Sequence, residues 1–251
     1  MAATKAVFGN GGSSPVNIDA ALNPAEIAAL PQRDLSATTC IVFDVLRATS
    51  SMITALEHGA AEIHPVRTID EALALKAEMP RALLGGERHG ELIPGFDIGN
   101  APHEYTALAG RTIISTTTNG TIALRACEGA RRVLVGALLN LDALAAELRR
   151  ESPENVLLVC AGTFADFALE DAYAAGALIA KMETSRLTDA ARATLALAQR
   201  FPDPIDVLRL ARNGVALAEK GRGAEVEWCA RQSVFKIVGE MQSAVIRPLA
   251  R

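Results

Sequence analysis

Of the 251 residues, half are apolar but only 4% aromatic, so Ala, Leu, Val and Ile must build the core; the length suits one large α/β domain or two small ones. The formal net charge is −4. Lys and Arg are spread along the chain, which argues against a nucleic-acid partner, and no apolar run reaches the roughly 18 residues of a membrane span.

In chain order, residues 1–15 read as a flexible leader, with a single domain expected over 16–251. The Gly-rich stretch from Gly9 to Pro15 is no dinucleotide loop, since Ser14 stands where the third glycine is needed. Thr39-Cys40-Ile41-Val42-Phe43 predicts a buried strand, and Ser50 to His58 a helix stopped at Gly59. A short strand is expected over Ile63–Val66, a helix over Ile69–Glu78, and a strand at Ala82-Leu83-Leu84 running into Gly85-Gly86. Strands follow at Thr112–Ser115 and Val133-Leu134-Val135, then a helix from Leu141 to Arg149. Asn155 to Cys160 is the clearest strand signal, followed by a helix over Glu170–Glu183. Asp189 to Gly221 reads as helical, and Val234 to Val238 as a last strand. Alternating strands and helices imply an α/β fold, a mainly parallel sheet with helices on both faces.

In such sheets ligands bind beyond the carboxyl ends of strands, and polar clusters recur there. Asp44-Val45-Leu46-Arg47-Ala48-Thr49-Ser50 offers an acid for a metal or for nucleophilic attack, a guanidinium for phosphate oxygens, and hydroxyls at a helix start. A simple N-cap with an Asp44–Arg47 pair would account for it equally well. Gly85-Gly86-Glu87-Arg88-His89-Gly90 puts an acid and a base after glycines, although a surface loop with an ion pair has the same composition. Pro94 to Pro102 carries Asp97 and Asn100, which could bind a ligand or their own backbone. Ser115-Thr116-Thr117-Thr118-Asn119-Gly120-Thr121 could be a hairpin turn at Asn-Gly. The residues after it suit a helix, so a strand–loop–helix anion cradle is preferred. Cys160-Ala161-Gly162-Thr163 ends a strand, and Glu170-Asp171 opens a helix whose dipole alone would favour one acid.

Carboxylates without a His or Cys grouping favour Mg²⁺ over zinc. The His residues at 58, 64, 89 and 103 show no metal spacing, and the four cysteines form no C-x-x-C. That cysteine usage, with no signal-like hydrophobic segment at the start, points to a reducing cytoplasm.

FDVLRATS, GGERHGELIPGFDIGNAP, STTTNGT, LLVCAGT and ALED, in this order, resemble the 2-phosphosulfolactate phosphatase (ComB) family over roughly residues 16–240. The resemblance implies a three-layer α/β/α sandwich around a mixed, mostly parallel sheet. It also implies a Mg²⁺-dependent phosphatase that converts (2R)-2-phospho-3-sulfolactate to 3-sulfolactate, a step toward coenzyme M. Motif match carries over Asp44, Arg47, Glu87, Arg88, Asp97, Asn119 and Asp171, and of these Asp44, Arg47 and Arg88 are assigned here as the expected catalytic residues. Mg²⁺ is expected among Asp44, Glu87, Asp97, Glu170 and Asp171. The phosphorylated sulfonate would lie against Thr49, Ser50, Thr117, Thr118, Asn119, Gly120, Thr121 and Gly162. The D-x-D pattern of aspartyl-phosphate enzymes is missing, since position 46 is Leu, and water and Asp44 both remain as nucleophile. The stretch Glu225 to Ser233 departs from the family's acid-then-proline pattern. Two alternatives are a non-catalytic binding module for a small phosphorylated or sulfonated acid and a thiol hydrolase built on Cys160. Low aromatic content with a large apolar fraction would suit a homodimer.

Overall fold

Strands buried on both faces need apolar side chains at every position, and the runs singled out above have them. In a computed structural model of the chain, which describes residues 15–182 and 185–249, these runs form the middle of an eleven-stranded sheet. The leader expected over residues 1–15 lies, apart from Pro15, outside the described residues.

The chain opens with β1 (Val16–Ala21), α1 (Pro24–Ala28), β2 (Thr38–Phe43), α2 (Ala48–Glu57), β3 (Glu62–Pro65) and α3 (Ile69–Glu78). There follow β4 (Leu83–Arg88), β5 (Glu91–Leu92), β6 (Thr112–Thr116), α4 (Gly120–Ala126), β7 (Arg132–Gly136) and α5 (Leu141–Glu151). Then come β8 (Asn155–Cys160), α6 (Leu169–Ile179), β9 (Ser185–Leu187), α7 (Asp189–Arg200), α8 (Pro204–Leu210), α9 (Arg212–Glu219) and α10 (Gly223–Ala230). A hairpin of β10 (Gly239–Gln242) and β11 (Val245–Pro248) ends the described chain.

Ile41, Phe43, Leu134, Leu158 and Cys160 point to one face, where they meet α5 to α10. Their neighbours Cys40, Val42, Val135, Leu157 and Val159 point to the other, against α1, α2 and α4. The result is the three-layer α/β/α sandwich expected, around one mixed, mostly parallel sheet.

The strand order is β5-β4-β6-β3-β11-β10-β7-β2-β8-β1-β9. Strands β7, β2, β8, β1 and β9 form one parallel block, and β3, β6 and β4 another. The β10–β11 hairpin lies between them and pairs antiparallel with β7 on one side and β3 on the other. Three antiparallel steps in a row reverse direction, so the two blocks run in opposite senses. Each step also twists the sheet by about 20–25°. Over the six steps from β2 to β4 the accumulated rotation, roughly 120–150°, swings the carboxyl ends of β4 and β6 back toward those of β2 and β8.

Several elements differ from expectation. Residues 234–238 are not a strand: Ser233 and Phe235 give their N–H groups to the carbonyls of Leu138 and Leu139 instead of a ladder. The true last strands are β10 and β11. Strands β1 and β9 and helix α10 were not anticipated. Strand β4 continues through Gly85-Gly86 to Arg88. Gly86 makes this feasible, because a Cβ there would lie 1.9 Å from the Thr116 carbonyl oxygen of the neighbouring strand.

Candidate active site

Asp44 follows β2 directly. Its Oδ1 accepts the N–H of Ala48 at 3.1 Å, which turns the chain into α2. Thr49 Oγ1 accepts the Asp44 N–H and donates to the Asp44 carbonyl, while Ser50 Oγ donates to the Val45 carbonyl. Both hydroxyls therefore fix the Asp44 turn and lie fully buried, rather than facing a ligand. Gly120, at the start of α4, lets that helix come close: a Cβ there would sit 2.6 Å from Asp44 Oδ2.

Beside Asp44 opens a cavity of ≈ 150 Å³. This is below the roughly 300–1,000 Å³ of drug-sized pockets and suits a small molecule. Asp44, Arg47, Glu87, Thr118, Asn119 and Gly162, all foreseen from the sequence, line it together. Most of the expected loop donors are nevertheless already engaged. Thr118 gives its N–H and hydroxyl to Glu87, whose Oε2 also takes the Gly90 N–H. Thr117 and Thr121 cap one another through backbone and hydroxyl. The Asn119 amide bridges to the next loop, donating to the Ala161 and Phe164 carbonyls and accepting the Phe164 N–H. The strand–loop–helix reading of 115–121 is correct and the hairpin is not, but the loop is chiefly a self-braced scaffold.

Arg47 is buried, with Nη1 on Glu225 of α10 and Nη2 on the Gly90 carbonyl at 2.9 Å. The departing Glu225–Ser233 stretch thus does reach the site. Arg88 turns away from the cavity, donating to the Glu87 carbonyl and Thr116 Oγ1. Asp97 also stands apart. It accepts the Leu84 N–H and lies 3.9 Å from Lys76, at the edge of α3. Asp171 places one carboxyl oxygen on the Val45 N–H (2.8 Å) and the other on the Gly162 N–H (3.1 Å), tying the β2 and β8 loops together. Glu170 accepts from Asn213 of α9 through Oε1, while its buried Oε2 has no hydrogen-bond partner.

Electrostatics single out the same floor. Burial, then the charges of Glu87 and Glu170, push the Asp44 carboxyl up to about 7, against the pull of the Ala48 N–H and Arg47. Burial raises Glu170. Burial followed by Glu170 and Asp44 holds Asp171 well above the usual carboxylate range. Crowded buried carboxylates with an orphaned oxygen form a hard-donor set that a divalent cation would satisfy. Among the described residues no three His, Cys, Asp or Glu side chains close into a metal cage by themselves. Mg²⁺ does not require one, since it commonly takes one or two carboxylates and completes its shell with water and phosphate oxygens. The residues present fit Mg²⁺.

The far wall was not foreseen. Arg212, Asn213 and Lys220 of α9 and its end face the cavity, as do His89 and Phe164. The His89 and Phe164 rings stack at 5.6 Å, and the Arg212 guanidinium lies 5.3 Å from the Phe164 ring centre. In sequence these are an ordinary amphipathic helix and loop residues with no local signal. Cys160 is fully buried, and burial pushes its thiol well up, which argues against a thiolate nucleophile. Among the described residues no helix is long and apolar enough to cross a membrane.

Fold and cavity define an α/β protein whose strand-end loops hold buried carboxylates against cationic side chains around a small cavity, the arrangement of an enzyme site. The chain belongs to the 2-phosphosulpholactate phosphatase family, whose model matches residues 26–244. It is 41% identical to the probable 2-phosphosulfolactate phosphatase of Deinococcus radiodurans, covering 79% of this chain and 85% of that one. The Carboxydothermus hydrogenoformans protein of the same description is also 41% identical, with 80% and 84% covered. That of Thermotoga petrophila is 36% identical, with 88% and 96% covered.

Proposed function

We propose that this chain is a Mg²⁺-dependent phosphatase that hydrolyses (2R)-2-phospho-3-sulfolactate to 3-sulfolactate and phosphate, the step that leads toward coenzyme M. The observation that carries the reading is the crowding of buried Asp44 by the charges of Glu87 and Glu170, beside Arg47 in a cavity sized for a small acid. Asp44 and Glu170 are the residues that would hold the cation, which supplies charge neutralisation for the phosphoryl group. Arg47, kept in place by Glu225 and the Gly90 carbonyl, faces the phosphoryl oxygens. In one route the Asp44 carboxylate takes a proton from water as its oxygen bonds to phosphorus. In the other it attacks phosphorus itself, and water then hydrolyses the acyl phosphate. In both, the ester P–O bond breaks and the departing alkoxide leaves protonated by solvent.

The enzyme is taken to be cytoplasmic and homodimeric, without a nucleic-acid or membrane partner; sedimentation tests the dimer. The functional test is phosphate release from a panel of small phosphorylated acids with and without chelator. Release that stops in chelator and returns with Mg²⁺ is expected. Equal turnover in excess chelator defeats the metal role, and tight binding without any release would leave a binding module.

A further inference from the structure

The hydroxyls and backbone N–H groups of the 117–121 loop are largely taken up within the scaffold, and Arg47 sits on the buried floor with Glu225. The substrate proposed above carries a carboxylate and a sulfonate besides the transferred phosphoryl group, and these need cations elsewhere. Two more cationic side chains line the cavity, Arg212 and Lys220, both solvent-exposed. Each rests in an exposed ion pair: Arg212 with Asp166 at 2.9 Å and Lys220 with Glu91 at 2.6 Å. Exposed pairs of this kind are weak, so a polyanionic ligand can take the cations from them. Their stems rise ~12 Å apart along α9 and its end, so their long side chains meet two neighbouring acid groups only by converging over the cavity.

Resting on that phosphatase reading, we infer that Arg212 and Lys220 form the subsite for the substrate's non-transferred acid groups, so that α9, rather than the strand-end loops, sets the preference for a polyacidic phosphate ester. The phosphoryl group sits at the Asp44 floor, and the acid groups point outward to α9. Binding exchanges Asp166 and Glu91 for substrate oxygens.

The test compares phosphosulfolactate, 2-phospholactate without the sulfonate, and glycerol 2-phosphate without either acid. In Arg212→Gln and Lys220→Gln, kcat/KM for phosphosulfolactate should fall about tenfold or more, and by several-fold more than kcat/KM for glycerol 2-phosphate. Asp166→Asn and Glu91→Gln remove the resting partners and should leave phosphosulfolactate turnover equal or higher, an outcome a purely structural role for these pairs would reverse. Equal losses on all three substrates, or none, overturn the subsite. A wild-type chain inactive on every ester overturns the phosphatase reading instead, and titration with 3-sulfolactate then decides the subsite: weaker binding in the two variants supports it, and unchanged binding ends it.

Discussion

Replacing Asp44 with asparagine removes a charge while keeping the shape and the acceptor for the Ala48 N–H. The Asp44 carboxyl is raised from 3.8 to about 7, chiefly by burial and then by Glu87 and Glu170. A carboxyl whose folded pKa lies above its unfolded value favours the folded state fully at low pH. That contribution is present below about 4, shrinks as pH rises, and is gone above about 7. A shift of roughly 3 units at about 1.4 kcal/mol each corresponds to about 4 kcal/mol at most. In chelator, therefore, Asp44→Asn should match the wild type near pH 4 and exceed its stability by up to about 4 kcal/mol near pH 7.5. Urea unfolding across that range reads the difference directly; because the Asp44 charge helps raise Asp171, the variant also relieves that neighbour, so the gap reads the site as a unit. Added Mg²⁺ should stabilise the wild type but not the variant, whose phosphate release should drop by about a hundredfold or more. If the two proteins kept the same stability gap at every pH, Asp44 would carry no uncompensated charge, and the physical case for a cation at the floor would fail.

Three other substitutions follow from the same geometry. Glu225→Ala strips the buried Arg47 guanidinium of its partner and should cost about 3–5 kcal/mol in urea unfolding, with a loss of turnover. Gly120→Ala drives a Cβ to within 2.6 Å of Asp44 Oδ2; overpacking should cost about 1–3 kcal/mol and lower kcat more than it raises KM. Cys160→Ala should retain turnover, and alkylation of the native chain should leave activity unchanged, because the thiol is buried and kept protonated; inactivation by either route would revive a thiol mechanism.

The parallel blocks were legible because strands buried on both faces are written as unbroken apolar runs, Asn155–Cys160 above all. The central hairpin was not. Its turn, Ser243-Ala244, takes positive φ at both residues (48° and 60°) without the Asn or Gly that normally marks such a bend, and Glu240 and Arg247 interrupt its apolar pattern. Val234–Val238 has strand composition, but the Ser233 and Phe235 N–H groups bond to the turn before α5. Within the site, residues directly after strands could be read, since chain order alone puts Asp44, Glu87 and Gly162 at strand ends. Composition could not tell which hydroxyls face a ligand and which brace the loop, so Thr49, Ser50, Thr117 and Thr121 were overread. Arg212 and Lys220 reach the cavity only through packing of distant helices.

The two blocks that share the cavity meet at a slender seam. Strand β11 touches β3 through a single registered pair, Ile246 with Ile63, with Arg247 reaching across to Glu62. Asp44 belongs to one side of that seam and Glu87 to the other, so the gap between them depends both on how firmly late-chain residues suture early ones and on the Arg47 bond to the Gly90 carbonyl. Loosening the suture would widen the cavity without altering any residue that lines it, and amide exchange at Ile63 and Ile246 would register the opening ahead of global unfolding.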